Sequence, residues 1–163
     1  DLLEAIKAEG GADVVLDMVG AAYAELNLNA LKPGGRWVVI ATLTGAKVTA
    51  LGAYYAGIFS RNDNLVMQLQ QAGEQVNEKL WRLPLNDDML PELKSRIADL
   101  RNTGRSAGAS TAALFLQQFV GSTPWAHIDI AGNALANSSS GITPEGATGY
   151  GVQLLTQWAL TQP

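Results

Sequence analysis

Residues Gly11–Ala41 read GADVVLDMVGAAYAELNLNALKPGGRWVVIA, and this stretch decides the fold. Ala12–Met18 is a β-branched, apolar run of the kind a strand carries when it is buried on both faces. Gly20 turns the chain. Tyr23, Leu26, Ala30 and Leu31 then recur at helical spacing, and Lys32-Pro33-Gly34-Gly35 supplies the breakers that end a helix. Arg36–Ala41 is a second buried strand. Strand, helix and strand in so short a span form a βαβ unit, which predicts a parallel pair joined by a right-handed crossover.

Working outward, Leu2, Leu3 and Ile6 mark an amphipathic helix broken at Gly10 and Gly11. It opens directly at Asp1 without Met or a capping sequence, and so reads as a cut piece. Beyond the βαβ unit, Thr44–Leu51 is expected as a short helix and Ala56–Ser60 as a strand. Ser60 or Asn62 caps a helix with Leu65, Leu69, Ala72 and Val76 on one face. Leu80–Leu85 is extended and stopped by Pro84. Asp87 or Asp88 caps a helix turning Leu90, Leu93 and Ile97 inward, with Pro91 in its first turn. Ser106–Val120 is a long helix with a small-residue start, and Trp125–Ala131 the last strand. Asn133–Gly146 reads as loop, and Gly151–Leu160 as a helix burying Val152, Leu155 and Ala159. Strands alternating with helices predict an α/β fold, a three-layer sandwich with a mostly parallel central sheet, as one domain over residues 1–163.

Composition excludes several classes. The 163 residues are 47% hydrophobic and 16% charged, which fits a globular core and not a disordered chain. The net charge of -4, with five scattered lysines and six arginines, leaves no basic surface for nucleic acid. Cysteine is absent, so disulfides, thiolate catalysis and Cys-based zinc sites are excluded. No apolar run approaches a membrane span, and no signal-peptide pattern occurs, so a cytoplasmic location is expected.

Residues GADVVLDMVG and ALKPGGRWVVIA resemble the nucleotide-binding domain of medium-chain dehydrogenases of the quinone oxidoreductase type, over residues 1 to about 41. From ATLTGAKVTALG onward, residues about 41 to 163 resemble the C-terminal part of the leucyl aminopeptidases. GEQVNEKLWRLPL, LKSRIADLRNTG, AGASTAALFLQQFV, PWAHIDIAG and GATGYG occur in the right order. Together the two resemblances read as a chimera with its junction at Ala41 and Thr42.

The dehydrogenase resemblance implies NADP, yet the G-x-G-x-x-G fingerprint is missing. The aminopeptidase resemblance implies two zinc or manganese ions that polarise the peptide carbonyl and generate a hydroxide. In that family their ligands lie upstream of ATLTG, and the N-T-D-A-E-G-R-L motif among them does not occur here. Asp13, Asp17, Asp87, Asp88, Asp99 and Asp129 read as caps, turn formers and solvated charges. His127 shares a strand face with Trp125 and Asp129, and the resemblance implies a structural role for it. The resemblance also assigns Thr42, Leu43 and Gly45 to the segment lining the substrate's first side-chain pocket, and Ala147 to another. In that reading they form a pocket remnant at a strand's C-terminal end.

The expectation is therefore a recombined or engineered Rossmann-like α/β scaffold without catalytic residues, metal or cofactor. The alternatives are a residual metal-dependent aminopeptidase fragment and a nucleotide-binding or oligomerisation module. Expected partners exclude nucleic acid and membrane. They leave self-association through an exposed sheet edge or through former hexamer contacts near Trp81, Trp125 and Trp158.

Overall fold

A computed structural model of the chain describes residues 2–17, 24–41, 45–102 and 104–162. The βαβ unit forms as its sequence requires. Helix α1 (Leu2–Ala8) leads to strand β1 (Ala12–Asp17), helix α2 (Ala24–Ala30) and strand β2 (Leu31–Ala41). Strands β1 and β2 pair in parallel with Val15 opposite Trp37 and Asp17 opposite Val39. The breakers Pro33-Gly34-Gly35 lie within β2, as an irregularity between the Ala12–Leu31 and Val14–Arg36 pairs. A bulge of this kind absorbs the extra residues while the alternation of side chains beyond it is preserved.

The chain continues through α3 (Gly45–Leu51), β3 (Ala56–Phe59), α4 (Asp63–Gln75), β4 (Leu80–Arg82) and a 3-10 helix at Asp87–Leu93. Helix α5 (Gly108–Gln117), strand β5 (Trp125–Asp129), the short pair β6 (Leu135–Ala136) and β7 (Gly146–Ala147), and α6 (Val152–Leu160) complete it. The five-stranded sheet has the order β1-β2-β5-β3-β4, parallel except where β3 meets β5. The α/β class with a mostly parallel sheet is thus as the alternation of elements predicts.

Period-two alternation sends Val38, Ile40, Ala126, Ile128 and Ile58 to one face, against Leu65, Leu69, Leu154, Leu155 and Trp158 of α4 and α6. It sends Trp37, Val39, Trp125 and Phe59 to the other, against Ala109, Ala113 and Leu116 of α5. Strand β2 lies directly beside β5, with Trp37 opposite Trp125 and Ile40 opposite Ile128. The first forty residues and the rest therefore share both cores.

Several local expectations are corrected. Of the two caps expected for α4, Asn62 serves, its side chain accepting from Leu65 N at 3.0 Å. Asn86 caps the 3-10 helix ahead of the two aspartates. Ile97 is 98% exposed rather than inward, because the helical turn stops at Leu93. In α6 the buried residues are Leu154, Leu155 and Trp158, while Val152 is 66% exposed. The segment expected as the Asn133–Gly146 loop contains β6 and the first residue of β7, with Leu135 opposite Ala147.

Candidate functional site

The C-terminal ends of β1, β2 and β5 open onto a cleft of about 700 Å³, within the range of small-molecule sites. Its walls are chiefly apolar: Leu16, Ile40, Ile130, Ala134, Tyr150, Val152, Leu155, Ala159 and Leu160, with Gly149 and Gly151 at the turn before α6 and Asp17 and Thr156 as polar members. The alternation that places Ile40 on the α6 face also directs it into this cleft, and β1 contributes Leu16, which is 50% exposed. Ligands of open α/β sheets sit at such strand ends.

The rim before α6 is held from below. Glu78 is buried, and its carboxylate accepts from Gly151 N at 3.0 Å and Leu154 N at 2.8 Å, giving α6 a capping acid from elsewhere in the chain. Burial pushes the Glu78 carboxyl up, and the two N–H bonds pull the other way. Tyr150 donates its hydroxyl to Lys79 O at 2.6 Å, and burial pushes the phenol up, so it remains a donor. Gly151 has φ +97, and a Cβ there meets Ile40 Cδ1 at 3.0 Å, so both backbone and cleft wall require glycine.

The residues assigned from sequence fall unevenly around this cleft. Thr42 and Leu43, with Thr44, lie outside the described residues. Gly45 opens α3, and Ala147 is exposed in β7; neither lines the cleft, which instead takes Gly149, Tyr150 and Gly151 from the segment that follows Ala147.

Of the carboxylates read as caps, turn formers and solvated charges, Asp13, Asp87, Asp88 and Asp99 are exposed, whereas Asp17 and Asp129 are buried. Asp13 pairs with Lys32, Asp87 pairs with Arg61, and Asp88 lies beside Asn86. Asp17 accepts from Asn27 Nδ2 at 2.9 Å, and Asp129 accepts from Ala131 N at 3.0 Å. Among the described residues no group of three or more His, Cys, Asp or Glu could hold a metal ion, so the family's metal pair finds no ligand set there.

His127 is fully buried between Phe59 and Trp125, with ring centroids 5.7 and 6.4 Å away. Its Nδ1–H donates to Val39 O at 3.2 Å, since a carbonyl can only accept. Burial pushes its pKa down to about 4, which keeps the ring neutral, and it is sealed away from the cleft.

Sequence reasoning missed Lys47. This α3 lysine is fully buried, and its ammonium donates to Gly52 O at 2.9 Å, to Ala131 O at 2.8 Å and to Asn133 Oδ1. Burial lowers its pKa, and the nearby charge of Asp129 raises it. No spacing signal marks it, because a lysine beside Ala46 and Val48 in a short helix reads as surface.

Comparison with known proteins places these features in context. The model of the cytosol aminopeptidase family, catalytic domain, matches residues 22–156. A probable cytosol aminopeptidase 1 of Shewanella oneidensis is 60% identical over 126 residues, covering 76% of this chain and 25% of its own length. A probable cytosol aminopeptidase of Nostoc punctiforme is 49% identical over 140 residues, covering 85% and 27%. Among solved structures, a mutant of tomato leucine aminopeptidase superposes with a TM-score of 0.76 at 38% identity, over 86% of this chain and 27% of that one. The bottromycin maturation enzyme BotP in complex with Mn gives 0.76 at 36%, over 85% and 32%. The chain spans about a quarter of the length of the curated relatives it matches.

These likenesses overturn the expectation of a non-catalytic, chimeric or engineered scaffold without a cofactor. The matched region begins at residue 22, well before the junction read at Ala41 and Thr42, and takes in α2 and β2. Nothing in them supports a quinone oxidoreductase-like segment. The physical reason for the misreading is that a parallel strand buried on both faces has one economical composition, so RWVVIA records burial and not ancestry. Relatives at half identity or more are named aminopeptidases, and one structural relative is described with Mn.

Proposed function

Because the chain belongs to the cytosol aminopeptidase family, we propose that it forms the C-terminal part of the catalytic domain of a metal-dependent aminopeptidase, and that its role there is to bind the apolar first side chain of a peptide. The observation that carries this reading is the family match over residues 22–156, a span that contains most of the elements framing the apolar cleft. In this reading a leucine-like side chain is desolvated in the apolar cleft against Ile40, Ile130 and Tyr150, while Thr42, Leu43, Gly45 and Ala147 are assigned to such a pocket by the family resemblance alone. Burying such a side chain contributes roughly 1.5–3 kcal/mol.

The metal pair of the family supplies carbonyl polarisation and a hydroxide in an intact enzyme. The described residues offer no ligand cluster for it, so the chemistry assigned to this chain is confined to binding, orientation and exclusion of water. A cytosolic location follows the names of the relatives and is part of the same proposal; no helix among the described residues is long and apolar enough to cross a membrane.

Transplantation tests this reading. Residues of this chain replace the aligned segment of the Shewanella relative, and turnover of L-leucine p-nitroanilide is measured with Mn²⁺. The expected result is retention of activity within about tenfold, equivalent to roughly 1.4 kcal/mol of transition-state stabilisation. A folded, metal-loaded transplant that turns over nothing defeats the proposal.

Self-association is a second reading, favoured by Trp81, which is 55% exposed on the edge strand β4 and stacks edge-on with Tyr55 at 5.8 Å. Trp125 and Trp158 are buried in the core and cannot serve it. A monomeric mass by light scattering rejects it.

A further inference from the structure

Helix α4 ends in a Schellman motif: Asn77 takes the left-handed conformation, φ +58, and Glu78 N donates to Gly73 O at 2.9 Å. Asparagine is among the few side chains that adopt this conformation readily. Gly73 has to be glycine, since a Cβ there runs into Glu78 O and meets Leu154 Cδ1 at 3.1 Å, so the turn and α6 close tightly on the helix end. The turn thereby delivers two acceptors under the start of α6. Gly151, the N-cap of that helix, has no side chain to cap it, and the buried Glu78 carboxylate takes Gly151 N and Leu154 N instead. Lys79 O takes the Tyr150 hydroxyl, and it also accepts from Ala56 N at 3.0 Å, which pins it to the first residue of β3. Tyr150 and Gly151, the residues held in this way, line the apolar cleft together with Ile40 and Ile130.

We propose that Glu78 is a positioning residue: with Lys79 O it holds Tyr150 and Gly151 in contact with the bound side chain, and so sets the cleft's preference for a large apolar side chain over a small one. The proposal rests on the reading that the cleft receives the substrate's first side chain. Apolar contact is lost quickly with distance, a radial gap of about 0.5–1 Å forfeiting roughly a quarter to a half of its attraction. Without the carboxylate, two buried N–H groups lack an acceptor, and they are relieved by admitting water at the rim or by letting the start of α6 move off the turn. Either change weakens the wall's contact with a leucine-sized side chain. An alanine-sized one, with fewer atoms to touch the wall, loses far less.

Ligand titration by NMR compares L-leucinamide with L-alaninamide on the 163-residue chain and on three variants. The wild type is expected to favour leucinamide by about tenfold or more. That preference is expected to shrink several-fold in Glu78→Ala, and likewise in Tyr150→Phe, which keeps the ring but cuts its bond to Lys79; Tyr150→Phe carries the test if Glu78→Ala does not fold. Leu116→Ala, in the core on the opposite face of the sheet, lowers stability away from the wall and is expected to keep the preference. An unchanged preference in Glu78→Ala and Tyr150→Phe, or an equal loss in Leu116→Ala, overturns the proposal. Amide hydrogen exchange reads the wall itself. Val152 N donates to Gly149 O at 3.0 Å and Leu155 N to Gly151 O at 2.9 Å, bonds in which Glu78 takes no part. Exchange at these two amides is expected to quicken about tenfold or more in the two cleft variants while Ala113 in α5 stays unchanged; no acceleration, or the same acceleration at Ala113, overturns the positioning role. Failure of the wild-type chain to bind either amide brings down the cleft reading and the preference built on it, whereas exchange decides independently whether Glu78 places the wall.

Discussion

His127 is closed off by Phe59 and Trp125, and its sequestration makes acid stability a measurable property of one residue. Its pKa is pushed down to about 4 from the ordinary 6.5. Between those values the unfolded chain binds a proton that the folded chain refuses, so stability is lost as pH falls through this window. Glu78 acts in the opposite sense: its raised pKa favours the folded state in acid, and that contribution is lost as pH rises. A difference profile isolates the histidine. Compared with His127→Gln, the wild type is expected to lose roughly 3 kcal/mol more between pH 7 and pH 4, the equivalent of about two and a half pK units. Urea midpoints across that range check it, and parallel profiles for the two proteins contradict the assignment to His127. Lys47 obeys the same rule as His127: because burial lowers its pKa, stability is lost as pH falls from the ordinary 10.5 through the folded value.

The start of α6 shows how one element depends on a residue far away in sequence. Glu78 accepts both Gly151 N and Leu154 N, so Glu78→Ala leaves two buried donors unmatched and is expected to cost about 1–3 kcal/mol. Gly151→Ala is expected to cost a similar amount, about 1–3 kcal/mol, through its positive φ and the clash with Ile40. Thermal unfolding measures both; a shift smaller than about 2 °C for either contradicts the capping argument. Neither dependence was legible in the sequence, because Glu78 and Gly151 lie on opposite sides of β5 in the chain order. What was legible follows local rules. Strand β2 declares itself by its β-branched run Val38-Val39-Ile40, β3 and β5 by short segments with apolar and aromatic residues, and α4 by its apolar face. The antiparallel placement of β3 beside β5 has no local signal, since both faces of a central strand are apolar whichever way it runs. For α6, Leu154 and Leu155 carry the buried stripe and Val152 falls outside it, because Ile40 and Leu69 meet the helix from one side only. Of the candidate site, the family words pointed to Gly45 and Ala147, neither of which lines the cleft, and the buried Lys47 reads in sequence like any exposed lysine.

At the scale of the molecule, β5 lies at the centre of the sheet, and β1 and β4 lie at its two edges; β1 is the edge beside the cleft. Among the described residues β1 pairs only with β2, and its Leu16 remains half exposed at the cleft. The family match begins at residue 22, beyond β1, so the covering of this edge is where the chain departs from the region its relatives define. Two truncations separate what the first residues do. Removing residues 1–11 deletes α1 and leaves the β1–β2 ladder intact; removing residues 1–17 also strips the edge of β2 and uncovers Val38 and Val39, which are fully buried in the whole chain. Since half-buried Val14 and Val15 each contribute on the order of 1 kcal/mol, and the ladder adds bonds worth about 1 kcal/mol apiece, the longer truncation is expected to lower stability by several kcal/mol and to promote association through the bared edge. The shorter one should shift the unfolding midpoint by a smaller amount. Equal midpoints for the two truncations would mean that β1 contributes no more than α1, and that β2 stands as a stable edge by itself.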